Sequence, residues 1–115
     1  NLTEAILTDA NLKNAFLVGA NIQKADLQRA NLEGADMAGV KLRNAPLQNA
    51  NLKKVDLRRA DLEHADFSKA NLSSANFTGA KMSGGLFIGA DLTGSNMDSA
   101  DTTDTQFKGA IGFKG

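Results

Sequence analysis

Residues 10–34 read Ala10-Asn11-Leu12-Lys13-Asn14, Ala15-Phe16-Leu17-Val18-Gly19, Ala20-Asn21-Ile22-Gln23-Lys24, Ala25-Asp26-Leu27-Gln28-Arg29 and Ala30-Asn31-Leu32-Glu33-Gly34. The unit is Ala, then Asn or Asp, then Leu, then two mostly polar residues. It runs the length of the chain. Of the 23 sites at steps of five from Ala5 to Gly115, Ala fills 17, and Val40 and Val55 fill two more. The Leu site is Leu, Ile, Met or Phe in 21 of 23 cases, broken by Thr102 and Gly112, and the site before it is Asn or Asp in 15 of 23.

A period of five fits neither standard element. On a helix, five residues advance about 140° net, so the Leu residues would scatter around the whole surface. On a straight strand the side-chain period is two, and successive Leu residues would alternate between faces. The pattern closes only if the chain turns a corner once per unit. Leu and Ala then point inward, with Asn, Asp and Gly as turn-tolerant backbone. Corners turned in one sense make a coil, and stacked coils make a solenoid.

Charge placement measures the coil, because neighbours across stacked segments favour opposite signs. At a spacing of 20 residues there are eight opposite pairs and one like pair, Asp36–Asp56. The opposite pairs are Glu4–Lys24, Asp9–Arg29, Lys13–Glu33, Glu33–Lys53, Lys41–Asp61, Arg43–Glu63, Asp61–Lys81 and Lys81–Asp101. A spacing of 10 gives five opposite and five like pairs, and spacings of 15 and 25 give four opposite pairs each, against two and three like pairs. A coil therefore has four sides, and 115 residues make between five and six coils. At about 4.8 Å per coil the rod is roughly 28 Å long. The columns Leu7, Leu27, Leu47, Phe67, Phe87, Phe107 and Leu17, Met37, Leu57, Phe77, Met97 fill its core. The column Asn11, Asn31, Asn51, Asn71 is placed to ladder through side-chain amides.

Composition narrows the chemistry. There are 13 basic and 13 acidic residues, no Cys, no Trp, no Tyr and one His. That excludes disulfide scaffolds and Cys-ligated metals, and leaves little of the usual nucleophile and base toolkit. No apolar run approaches the roughly 20 residues of a membrane span. The chain opens on Asn1 and shows no legible signal peptide. The expectation is a cytoplasmic chain, or a periplasmic or thylakoid-lumen one where the N-terminus has been processed. The start inside a repeat also suits an excised domain.

The tandem units Ala10-Asn11-Leu12-Lys13-Asn14, Ala30-Asn31-Leu32-Glu33-Gly34 and Ala60-Asp61-Leu62-Glu63-His64 resemble the pentapeptide repeat family over essentially residues 1–110. The resemblance implies an all-β fold, a right-handed quadrilateral β-helix; the handedness comes from the family. The family it resembles is common in bacteria, especially cyanobacteria, and most of its members have no assigned biochemical activity. One subgroup mimics duplex DNA and acts on DNA gyrase, and C-terminal ends often mediate dimers.

Departures from the unit mark candidate sites. Ile6, Phe16 and Val18 replace polar residues near the start, either as a docking patch or as packing against a cap, a neighbouring segment or each other. Pro46, in an Asn/Asp site, reads as a stiffened corner lacking one inter-coil hydrogen bond. Leu86 and Ile88 flank the inward Phe87 and should face outward as a small apolar patch. Thr102, Thr105, Ile111, Gly112 and Phe113 leave the pattern, so 1–100 is expected to be the regular β-helix and 101–115 a looser final coil or cap. Ile111 and Phe113 are the candidates for a homodimer contact there. Lys41, Arg43, Lys53, Lys54, Arg58 and Arg59 form a basic band, with Lys54, Arg58 and Arg59 expected to be least neutralised. No aromatic residue accompanies the band, so base stacking is not indicated.

Asp36 and Asp56 should stack about 5 Å apart, the ordinary consequence of the repeat rather than an acid–base pair. Asp98, Asp101 and Asp104 lack calcium-loop spacing, and His64 reads as a surface residue. No catalytic, cofactor or metal residues are assigned. The sequence points to a non-enzymatic interaction scaffold with another protein as partner, without nucleic acid or membrane. The alternative is a DNA-mimicking, gyrase-binding protein, against which zero net charge counts.

Overall fold

The computed structural model describes residues 1–113; the last two residues of the expected 101–115 segment lie outside them. Each unit first builds a corner. The inward Leu, the two polar residues and the next Ala form a turn closed by the Ala N–H, as Ala30 donates to the Leu27 carbonyl at 3.0 Å. The residue before each Ala has φ between 56° and 72° at all 22 corners from Glu4 to Gly109, and at fourteen of them it is not Gly. A positive φ at the third residue of such a turn is the type II arrangement. Left-handed backbone thus falls on the last residue of the unit, not on the Asn/Asp site.

Between corners, each side pairs with the coils below and above. Every bridge is parallel and joins residues 20 apart, as in Asn11 to Asn31 to Asn51 to Asn71 to Asp91. The coil therefore has four sides, as the charge spacing indicates. Face 1 carries units 5–9, 25–29, 45–49, 65–69, 85–89 and 105–109. Faces 2, 3 and 4 carry the units that follow in order, beginning at residues 10, 15 and 20. The result is a right-handed quadrilateral β-helix measuring 33 × 21 × 20 Å.

Hydrogen bonds account for the Asn/Asp bias. In the unit 50–54, Asn51 N–H donates to the Ala30 carbonyl at 2.9 Å, Leu52 N–H to Asn71 at 2.7 Å and Lys54 N–H to Ser73 at 2.9 Å. Val55 N–H closes the turn onto Leu52 at 3.1 Å. Only the N–H of the fourth residue, Lys53, has no backbone acceptor, and Asn51 Oδ1 takes it at 3.1 Å. The same bond recurs at all fifteen Asn and Asp residues of this site, at 2.9–3.4 Å. The Asn column therefore does not ladder amide to amide, as expected from stacking alone. Each Oδ1 serves its own turn, which is closer than the next coil.

Inside, the apolar Leu-site and Ala-site residues from Ile22 to Leu92 are 0–1% exposed, Gly85 among them is buried too, and no buried polar or charged side chain is present among the described residues. Phe67 and Phe87 stack at 4.8 Å, Phe87 and Phe107 at 5.5 Å, and Phe77 meets Phe87 edge-on at 5.9 Å. Residues 101–111 keep the bridges and turns. What changes in the last coil is its filling, since Thr102 and Gly112 stand at inward sites. Pro46 lies mid-side rather than at a corner. Having no N–H, it makes no bond to the Ala25 carbonyl, while its own carbonyl still accepts from Leu27 at 2.9 Å.

Burial of each Leu is worth about 1.5–3 kcal/mol, whereas exposed ion pairs are worth about 0–1 kcal/mol. In denaturant titration, Leu52→Ala should cost about 2–5 kcal/mol and Lys53→Ala under about 0.5 kcal/mol. Leu52→Lys should abolish the cooperative transition. Asn51→Ala should cost about 0.5–1.5 kcal/mol by orphaning the Lys53 N–H, while Asn51→Asp should stay close to the parent. Comparable losses from Leu52→Ala and Lys53→Ala would overturn this division.

Candidate interaction surfaces

The interior is filled, so recognition chemistry belongs to the outside. Three kinds of position reach it: the Asn/Asp site, the fourth residue of each unit, and the left-handed corner. Each repeats every coil, so each face carries straight columns of side chains about 4.8 Å apart.

The basic band falls on one coil but not on one face. Lys41 and Arg43 lie on face 4, where Arg43 contacts Asp61 at 3.0 Å and Glu63 at 3.5 Å. Lys53 lies on face 2, and Lys54 takes the corner leading to face 3. Arg58 lies on face 3 and Arg59 on the next corner. Arg58 corrects its expectation of being poorly neutralised: it grips Asp56 of its own turn with Nη2–Oδ2 at 2.7 Å and Nε–Oδ1 at 2.9 Å. A partner two residues earlier was outside the 20-residue comparison. Lys54 and Arg59 form no ion pair within 4.0 Å among the described residues. Of the eight opposite pairs expected across coils, Asp9–Arg29 at 2.9 Å and Arg43–Glu63 close into ion pairs.

Asp36 and Asp56 stack as bridged neighbours. Arg58 holds the Asp56 carboxyl below the usual range, by side-chain hydrogen bonding first and against some desolvation. Asp9 is lowered chiefly by its hydrogen bond with Arg29. Asp91 and Asp101 are lowered by the Thr93 and Thr103 side chains and then by the N–H groups of the same residues. His64 occupies an exposed corner with its ring lying over Gly84, where a Cβ would collide with it.

Large apolar side chains reach solvent at Ile6, Phe16, Val18, Ile88, Ile111 and Phe113, with Ile6 82% and Phe16 79% exposed. No segment of the described chain covers Ile6 or Phe16, so the cap-packing reading of these residues is not realised here. They stand on opposite faces and do not form one patch. Leu86 is half-buried and Ile88 exposed, both on face 1. Phe113 stacks on Phe107 at 3.8 Å, and Ile111 ends the bridge column of face 2. Beside Phe113 an open hollow of about 610 Å³ leads to Met97, Ala100 and Thr102, where the missing large side chains leave the end of the core unfilled.

The profile described as Pentapeptide repeats matches residues 5–44, 45–84 and 75–111, in eight copies. The chain belongs to the pentapeptide repeat family. Rfr23, a pentapeptide repeat protein from the cyanobacterium Cyanothece 51142, is similar at 33% identity and a TM-score of 0.78, over 80% of this chain and 63% of its own. HetL, a pentapeptide repeat protein involved in heterocyst differentiation regulation in the cyanobacterium Nostoc sp. strain PCC 7120, is similar at 28% and 0.75 over 99% of this chain and 60% of its own. A pentapeptide repeat protein of the Arabidopsis thaliana thylakoid lumen is similar at 34% and 0.58, over 86% of this chain and 66% of its own. This pentapeptide repeat chain thus spans less than two thirds of the length of each of these relatives. No curated protein sequence matches it.

Sorting the departures by face shows what reading along the chain missed. The Asn/Asp site holds another residue at Ile6, Pro46, Leu86 and Gln106 on face 1, four of its six sites. Face 4 departs at Lys41 and Lys81, face 2 at Ile111 and face 3 at Phe16. Reading the sequence at a step of 20 rather than five would have found the cluster.

Carboxyls lowered in the folded state bind protons more weakly than in the unfolded chain. They stabilise above the ordinary carboxylate pKa of about 3.9, and that stability is lost as pH falls through and below it. The melting temperature should be flat from about pH 8 to pH 5 and fall below about pH 4. Replacing Asp9, Asp56, Asp91 and Asp101 by Asn should shallow the fall. A decline beginning above about pH 6, or one unchanged in that variant, would contradict the assignment.

Proposed function

We propose that this chain is a non-enzymatic scaffold that binds another protein along an outer face. The supporting observation is the filled interior: Leu, Phe and Ala occupy the space where a ligand would sit, and chemistry is left to flat columns. Rigid repeated faces of this kind suit protein contact. The division at residue 100 fits the same reading, with the regular part as the platform and the thinly filled last coil, ending in Ile111 and Phe113, as an end contact for a second copy. Lys54 and Arg59, which make no ion pair among the described residues, are among the cations available to an acidic partner.

The alternative is a DNA-like rod acting on gyrase. It needs columns of one sign, and face 4 instead alternates Lys41, Asp61, Lys81 and Asp101. Two measurements test the pair. The immobilised folded chain should retain a partner from source-cell extract that the unfolded Leu52→Lys chain does not; retention by both, or by neither, counts against the scaffold. Added to a DNA gyrase supercoiling reaction, the chain should leave the rate unchanged, and inhibition specific to the folded chain would favour the alternative.

A further inference from the structure

Down face 1, the Asn/Asp column reads Ile6, Asp26, Pro46, Asp66, Leu86, Gln106. Apolar side chains recur at every second coil, about 9.6 Å apart, with a carboxylate midway between them. The outer column beside it runs Thr8, Gln28, Gln48, Ser68 and Ile88, without a charge until Lys108. Ile6 and Ile88 are exposed, and Pro46 and Leu86 are half-buried, as mid-side positions are.

Each of these apolar residues costs the repeat something. Ile6, Pro46 and Leu86 have no Oδ1, so the N–H groups of Thr8, Gln48 and Ile88 lose the side-chain acceptor that Asn or Asp supplies elsewhere. Pro46 also forgoes a bond between coils. Three such losses on one face, in regular alternation, point to outward chemistry rather than to folding.

Asp26 and Asp66 make no ion pair within 4.0 Å among the described residues. Asp26 Oδ1 accepts from Gln28 Nε2 at 3.2 Å, and Asp66 Oδ2 accepts from Gln48 Nε2 at 2.9 Å. Both keep acceptor capacity, since a carboxylate offers about four lone-pair sites. Lys24 and Arg29 stand at the corners on either side of Asp26, and His64 and Lys69 beside Asp66. The corners beside Leu86 are Gly84 and Gly89, which put no side chain in the way of an approaching partner.

The spacing selects the partner. An extended strand returns a side chain to the same face about every 6.6 Å, which matches neither the rungs nor their midpoints. An α-helix returns one every seven residues, about 10.5 Å, and places residues three or four along near the midpoint of that stripe. Two such steps span about 21 Å against about 19 Å on the face, a mismatch that side chains absorb. We propose, building on the scaffold reading, that face 1 docks an amphipathic α-helix with apolar residues every seventh position and Lys or Arg between them.

The test uses a helix-stabilised, fluorescently labelled peptide with Leu at every seventh position and Lys midway, titrated with the full chain and read by anisotropy. Saturable binding is expected, weaker by at least about tenfold for a peptide of the same composition with its Leu residues spaced every five. The triple variant Ile6→Asn, Pro46→Asn, Leu86→Asn should bind at least about tenfold more weakly too. It restores the turn acceptor at three sites, so it should melt at or above the parent temperature, which separates lost binding from lost folding. The pair Asp26→Lys and Asp66→Lys should reject the Lys peptide and accept its Glu counterpart. No saturation at millimolar chain, equal binding by the triple variant, or tighter binding of an extended proline-rich peptide would overturn the proposal. If extract capture succeeds and the triple variant captures the same partner as well as the parent does, the scaffold reading stands and the helix site falls.

Discussion

One unanswered N–H per unit governs this fold. Backbone donors held against a packed core must find acceptors. In the inner coils four of the five in each unit find backbone carbonyls, through turn closure or the coils above and below. The fifth belongs to the first polar residue after Leu, and an Asn or Asp two residues earlier supplies its Oδ1. This is why Asn and Asp exchange freely at that site: both carry the same oxygen in the same place. It also contributes to the acidity of Asp56, Asp91 and Asp101, whose carboxylates accept that N–H together with a stronger side-chain donor.

The corners show how much local strain such a ladder absorbs. Fourteen non-glycine residues, Lys, Arg and His among them, hold φ near 60°. Each left-handed residue costs roughly 1–3 kcal/mol and persists only where its surroundings over-determine it. From Lys24 to Gly89 each corner is fixed by a turn hydrogen bond and by a bond to the next coil, and it follows a fully buried inward side chain. The exposed charges add little by comparison. Only two of the eight cross-coil pairs that reveal the coil length close into ion pairs, so they record the register more than they enforce it.

The architecture was legible because a period of five has one geometric solution, and because like and opposite charges sort cleanly at 20 residues. The turn chemistry was legible in part. Composition gave the Asn/Asp bias, but stacking suggested an amide ladder between coils, whereas proximity favours the N–H two residues on. The basic band looked like one patch because Lys41 through Arg59 are near in sequence, yet each unit turns the chain through a corner and spreads them over three faces. Arg58 looked free because its partner lies within its own turn. The face 1 column was invisible for the opposite reason: Ile6, Pro46 and Leu86 are 40 residues apart in sequence and two coils apart in space.

A solenoid of this kind separates the residues that fold it from those that face outward more cleanly than an irregular domain does. Leu and Ala sites are fixed by the width of the rod, and the Asn/Asp site by the orphan donor. Lys, Arg, Gln, Ser and Thr at the fourth position change without consequence for packing. A departure at the fourth position therefore carries little information, while one at the Asn/Asp site is made against a local stability cost. Lys41 and Lys81 at least stand in register with Asp61 and Asp101, charges of opposite sign. Ile6, Pro46 and Leu86 gain no such neighbour: the rungs next to them are Asp26, Asp66 and, after Leu86, Gln106, polar groups that favour no apolar contact with them. On the proposed reading the compensation for these residues comes from outside the chain, and their regular two-coil spacing suits a rigid partner with a matching repeat.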